Sequence, residues 1–137
     1  MKIYRLLSVI AAALLSLFAA GAQNQAPRTP EEKEKQLLEF VDKEVQRLSN
    51  LLKLEYWQEF YVDSTLTHDY KAMSEELERM QGAKVENMDL YVNVQDKWME
   101  KIDRSYERFF TDEQWKKYLK SGAKKAQEAR DKRMKKK

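Results

Sequence analysis

Apolar positions recur at helical spacing along most of this chain. Leu37, Val41, Val45, Leu48 and Leu52 follow one another at intervals of four, four, three and four, and Leu38, Phe40 and Leu51 widen the stripe. A strand would alternate every second residue, so this stretch is predicted to be an amphipathic helix. A second stripe runs through Trp57, Phe60, Tyr61, Val62, Leu66, Tyr70, Met73, Leu77 and Met80, and is expected to stop at a left-handed Gly82. A third carries Met88, Tyr91, Trp98, Ile102, Tyr106 and Phe109, interrupted by Gln95. A fourth starts at Thr111 and carries Trp115, Leu119, Ala123 and Ala126 before its apolar positions run out. The predicted fold class is all-α, with three to four amphipathic helices in an extended hairpin or cradle-like arrangement.

The beginning of the chain follows another rule. A short basic start, Lys2 and Arg5, precedes an apolar run over residues 6–20 broken only by Ser8 and Ser16, and Ala20-Gly21-Ala22 closes it. A membrane-crossing helix takes about 20 apolar residues, and this run is shorter. The pattern predicts a cleaved signal peptide over 1–22 and export to the periplasm, with the extracellular space as the alternative. Residues 23–28 then form a polar, disordered leader, 29–126 the helical domain, and 127–137 a basic, frayed helical tail. Thr29-Pro30-Glu31-Glu32 supplies the start signal of the first helix: a capping hydroxyl, a proline where no N–H is needed, and a glutamate that can reach back.

Composition narrows the chemistry. With no cysteine and one histidine among 137 residues, disulfide frameworks, thiolate metal sites and a cysteine nucleophile are excluded. Three glycines and two prolines are too few for a many-turned β fold or a glycine-rich phosphate loop. His68 with Met73 and Met80 fits a helix face with core methionines better than a metal site. Glu75, Glu76 and Glu78 read as a solvated face. No enzyme, metal or cofactor is expected. The charge is divided along the chain: residues 116–137 hold 11 basic and two acidic side chains, whereas 23–115 are net −8. An acidic body thus carries a basic tail, a statement about partners and solubility.

The most informative local pattern is Phe110-Thr111-Asp112-Glu113-Gln114-Trp115. Thr111 can accept from the N–H of Gln114 while Gln114 reaches back to Thr111, and Phe110 on Trp115 would staple the turn. Leu54-Glu55-Tyr56-Trp57-Gln58 repeats the pattern 56 residues earlier, with Glu55 a poorer cap. Leu54 and Gln58, then Phe110, Thr111 and Gln114, resemble the two motifs of the LTxxQ family, the Spy- and CpxP-like small helical stress proteins of the periplasm. Phe110 and Glu55 depart from the family's leucine and threonine. The resemblance implies a cradle-shaped antiparallel helical homodimer acting as an ATP-independent chaperone, a stress regulator or a metal-responsive protein.

Two further groups of residues are candidates for binding. Trp57, Tyr61, Trp98 and Tyr106 belong to an aromatic set too large for a thin helical layer to hide, so either plain core packing or an exposed face for unfolded or partner proteins accounts for them. Lys124, Lys125, Arg130, Lys132, Arg133, Lys135, Lys136 and Lys137 either keep the chain soluble or touch an anionic membrane surface; nucleic acid is not an expected partner. The functional expectation is an exported envelope protein that binds other proteins. The alternative is a structural or regulatory protein that docks one partner, or an anionic surface, through its tail.

Overall fold

In the computed structural model, residues 27–136 are described; the signal-peptide expectation, most of the leader and Lys137 lie outside them. Helix α1 spans Pro30–Leu52, α2 Tyr56–Gly82, α3 Met88–Phe109, α4 Asp112–Tyr118 and α5 Lys124–Lys135, with a π-helical turn over Leu119–Ala123 between the last two. No strand occurs among the described residues, and the all-α expectation holds. None of the helices described is long and apolar enough to cross a membrane.

Helix α1 begins as its sequence dictates. The N–H of Glu32 donates to Thr29 Oγ1 at 3.2 Å and Glu32 Oε2 accepts from the N–H of Thr29 at 3.0 Å, with Pro30 at the first helical position. The helix ends at Lys53, which takes the left-handed conformation at φ 54°. Helix α2 ends differently from the expectation. Gly82 remains in the helix, and the left-handed residue is Lys84 at φ 56°. The N–H groups of Ala83 and Val85 donate back to the carbonyls of Arg79 and Met80, at 2.9 and 3.0 Å, so the last turn is closed by backbone bonds just beyond the glycine.

Helix α2 is the central element, packed against α1 on one side and α3 on the other, while α4 returns to α1. Cross-links near the helix ends fix the antiparallel directions: Lys33 Nζ reaches Glu78 at 2.8 Å, and Tyr61 stacks on Phe109 at 5.8 Å. The core is drawn from the predicted stripes: Val41, Leu48 and Leu52 of α1; Val62, Leu66, Tyr70, Met73 and Leu77 of α2; Ile102 and Tyr106 of α3. Each such aliphatic side chain contributes about 1.5–3 kcal/mol by leaving water. Leu37 and Val45 only lean on this core, and Leu38 and Leu51 are exposed, because a layer of this thickness covers only the centre of the stripe.

The fourth stripe does not form one continuous helix. Gly122 has φ 115°, a value that side-chain-bearing residues rarely adopt, and the π-helical turn around it redirects the chain. Helix α5 then runs along α3 and continues to Lys135. Where a frayed tail is expected over 127–137, the described residues hold a continuous helix to Lys135. Arg130 is buried against Asp103, and Arg133 donates twice to Asp96 at 2.7 and 2.8 Å. Charge pairing orders this segment where apolar residues are missing.

Candidate functional site

The two sequence motifs, 56 residues apart, meet in space. Each Gln first caps its own helix: Thr111 N–H donates to Gln114 Oε1 at 2.9 Å, and Glu55 N–H to Gln58 Oε1 at 3.0 Å. Thr111 completes its box by accepting from the N–H of Gln114 at 3.2 Å. The amides then bind each other, Gln58 Nε2 donating to Gln114 Oε1 at 2.6 Å and Gln114 Nε2 to Gln58 Oε1 at 3.0 Å. Each spare amide proton goes to the helix end preceding the opposite motif: Gln58 Nε2 to the carbonyl of Phe109 at 2.9 Å, Gln114 Nε2 to that of Leu52 at 3.3 Å.

The arrangement is a pseudo-twofold knot in which both amides have four hydrogen bonds, the full capacity of the group. Gln58 is only 1 % exposed, so a missing partner would be costly there. Two helix C-termini, two helix N-termini and both connections of the α1–α2 and α3–α4 corners are tied at one point. Leu54 packs against the adjoining core. Phe110 stacks on Tyr106 at 5.0 Å and meets Tyr118 edge-on at 5.9 Å, while Trp115 also pairs with Tyr118 at 5.5 Å. The aromatic leader of the second motif thus anchors in the core.

Beside the knot, the first turns of α2 present aromatic side chains to solvent. Tyr56 is 91 % exposed, Trp57 49 %, Phe60 68 % and Tyr61 52 %. Trp57 and Tyr61 meet at 6.1 Å, Phe60 and Tyr61 at 5.9 Å, and Tyr61 continues onto Phe109. The Trp57 Nε1–H donates to Glu55 Oε2 at 2.6 Å, which fixes the indole without covering it. At 150–250 Å² per aromatic side chain, the exposed part amounts to roughly 400–650 Å², comparable with the largest apolar patch of an ordinary monomer, which is often functional.

The other two aromatic candidates lie elsewhere. Trp98 sits on α3 at the level of Glu76, about 22 Å along α2 from Tyr61 at 1.5 Å per residue. Its Nε1–H donates to Glu76 Oε2 at 2.7 Å, and Lys101 Nζ lies over its ring at 4.7 Å. The bond from Lys97, reinforced by that from Trp98, holds the Glu76 carboxyl below the usual glutamate range. Tyr106 is 1 % exposed and packs between Phe109, Phe110 and Tyr118. Its assignment as a binding residue is corrected: it faces α2 and α4 inside the core, and burial pushes its phenol well above the ordinary range.

The basic candidates divide in the same way. Lys124, Lys125, Lys132, Lys135 and Lys136 are exposed, and Lys137 lies outside the described residues. Arg130 is not a surface residue. Asp103, 6 % exposed, accepts from Tyr118 Oη at 2.6 Å, from Gln127 Nε2 at 3.2 Å and from Arg130. Burial, followed by the Asp103 charge, drives the Tyr118 phenol well above its usual value. His68 is solvent-facing and contacts Asp69 at 2.8 Å, and Met73 is in the core.

The candidate binding set read from the sequence leaves out Tyr56 and Phe60: Phe60 is counted there with the apolar stripe of α2, yet both side chains are exposed, at i and i+4 on a second face of the helix. Sequence reasoning also misses Asp103, whose signal is the acidic spacing Asp96, Glu100, Asp103 and Glu107 along α3. The geometry so assembled can hold helices together and offer an aromatic surface. No protein-family model matches this chain, and neither a curated protein nor a solved structure matches it.

Proposed function

We propose that this is an exported envelope protein that binds other proteins, in the manner of the ATP-independent chaperones of the LTxxQ type, through the aromatic patch at the start of α2. The observation that carries the reading is the exposure of Tyr56, Trp57, Phe60 and Tyr61 on a corner held rigid by the glutamine knot. Such a surface offers large apolar contact with little geometric demand, which suits unfolded or varied partners. The resemblance of the two motifs to the LTxxQ pattern supports the same reading, and a homodimer belongs to it.

The test is suppression of aggregation. The mature chain is expected to keep two unrelated unfolding proteins soluble without ATP, and Phe60→Ser with Tyr61→Ser to lose most of that effect at unchanged helicity. No protection by the parent chain, or equal protection by the variant, overturns the reading. Sedimentation across a dilution series separates the homodimer from the monomer.

A further inference from the structure

Helix α5 packs on α3 through charge. Lysine, arginine, glutamate and aspartate make up most of its length, and Arg130 is its one buried residue among those described. On α3, Asp96, Glu100, Asp103 and Glu107 follow at intervals of four, three and four, one helical face. Arg130 and Arg133 of α5 lie on this stripe, at Asp103 and Asp96. The Asp96–Arg133 contact is bidentate, at 2.7 and 2.8 Å, and Arg133 remains 45 % exposed. The arm is joined to the body through the π-helical turn at Gly122, whose φ of 115° gives a glycine pivot. Between α3, α4 and α5 lies an open groove of about 330 Å³, lined mostly by charged and polar side chains, Glu100, Arg104 and Asp131 among them, with Trp115, Leu119 and Met134.

We propose that α5 is a latched arm that binds an anionic phospholipid surface, and that the acidic stripe of α3 is its internal competitor. Docked, Arg130 and Arg133 are occupied by Asp103 and Asp96. Released, the arm presents both arginines together with Lys132, Lys135 and Lys136. Undocking returns both arginines to water, and their hydration offsets part of the lost attraction, so a surface of many negative charges can compete. Met134, 49 % exposed among these cations, supplies an apolar side chain suited to the boundary between headgroups and acyl chains. That favours a lipid surface over a nucleic acid. The inference is independent of the aromatic patch and of protein binding.

The test uses the mature chain with vesicles of phosphatidylglycerol and phosphatidylethanolamine at low salt. Each basic side chain near an anionic surface strengthens binding by about fivefold, so Asp96→Asn, which frees Arg133, is expected to bind roughly fivefold tighter. Asp96 is at the rim, so this change strands no buried charge. Glu39→Gln alters the net charge equally on α1 and is expected to bind like the parent. As the chain has no cysteine, spin labels at Asn93→Cys and Lys136→Cys report the arm directly: their separation should lengthen on vesicles. Equal strengthening by both neutralised variants, no strengthening by Asp96→Asn, an unchanged label separation on bound vesicles, or tighter binding to duplex DNA than to vesicles would each overturn the proposal.

Discussion

Two buried polar centres hold this small protein together, and they are built from opposite chemistry. The knot of Gln58 and Gln114 is neutral, and every donor and acceptor of both amides is used. The Asp103 centre is charged, gathering Tyr118, Gln127 and Arg130 around one carboxylate. Neutral amides leave water at moderate cost and recover it through complete bonding. Ions leave water at high cost and recover it only while both remain in place. The knot should therefore behave as a fixed joint, indifferent to salt, and the charged centre as a joint that opens under competition.

The sharpest way to break this comparison is to remove one ion. Arg130→Ala should leave Asp103 buried without its cation and destabilise the fold by about 3–5 kcal/mol, read from urea unfolding. Asp103→Leu with Arg130→Met should recover most of that loss, since a buried pair replaced as a unit is often close to neutral. Deleting residues 130–137 should accordingly lower the melting temperature, as it removes the same partner. An undisturbed melting curve would mean that the arm does not dock.

A smaller effect is expected at the knot. Gln58→Leu or Gln114→Leu leaves the opposite amide with two of its four hydrogen bonds and takes the side-chain partner from a capped N–H and a helix-end carbonyl, at about 1–3 kcal/mol for each group left without a partner. The double variant should cost less than the sum of the two, with a coupling of about 0.5–3 kcal/mol. These losses should be the same at low and high salt, whereas those at Asp96 and Arg133 shrink with salt. Strict additivity would dissolve the idea of a joint amide pair. Thr111→Ala, which removes only the cap, should cost about 1 kcal/mol.

The smallest expected effect concerns pH. The Glu76 carboxyl is held below its ordinary range by Lys97 and Trp98, so its pairing stabilises the fold above the usual glutamate pKa. That contribution is lost as pH falls through the lowered value. Glu76→Gln should flatten this acid limb of a stability–pH profile and leave the profile above pH ~6 unchanged in shape. An identical acid limb in both proteins would remove Glu76 from the account.

The same contrast explains what can be read from the chain. The helices and both corners are legible because their signals are local: apolar spacing of three and four, and a capping residue three positions before a glutamine. The core stripe of α2 appears as expected, from Val62 to Leu77. Tyr106 escapes such a reading because an aromatic residue on a helical stripe looks the same whether its neighbour is another ring or solvent. The tail escapes it because Arg130 has a partner 27 residues away on another helix, and charge runs by themselves suggest hydration.

What the sequence by itself determined is the first three helices, the start of the fourth and the two capped corners, since each depends on residues within one or two turns of each other. Only the tertiary structure decided that the two glutamines bond to one another, that Phe60 and Tyr61 face solvent while Tyr106 does not, and that a basic helix lies ordered on an acidic one. Each of these depends on which distant groups share a desolvated space. Hydrogen-bond completion and charge burial are properties of that space, and a linear pattern does not specify it.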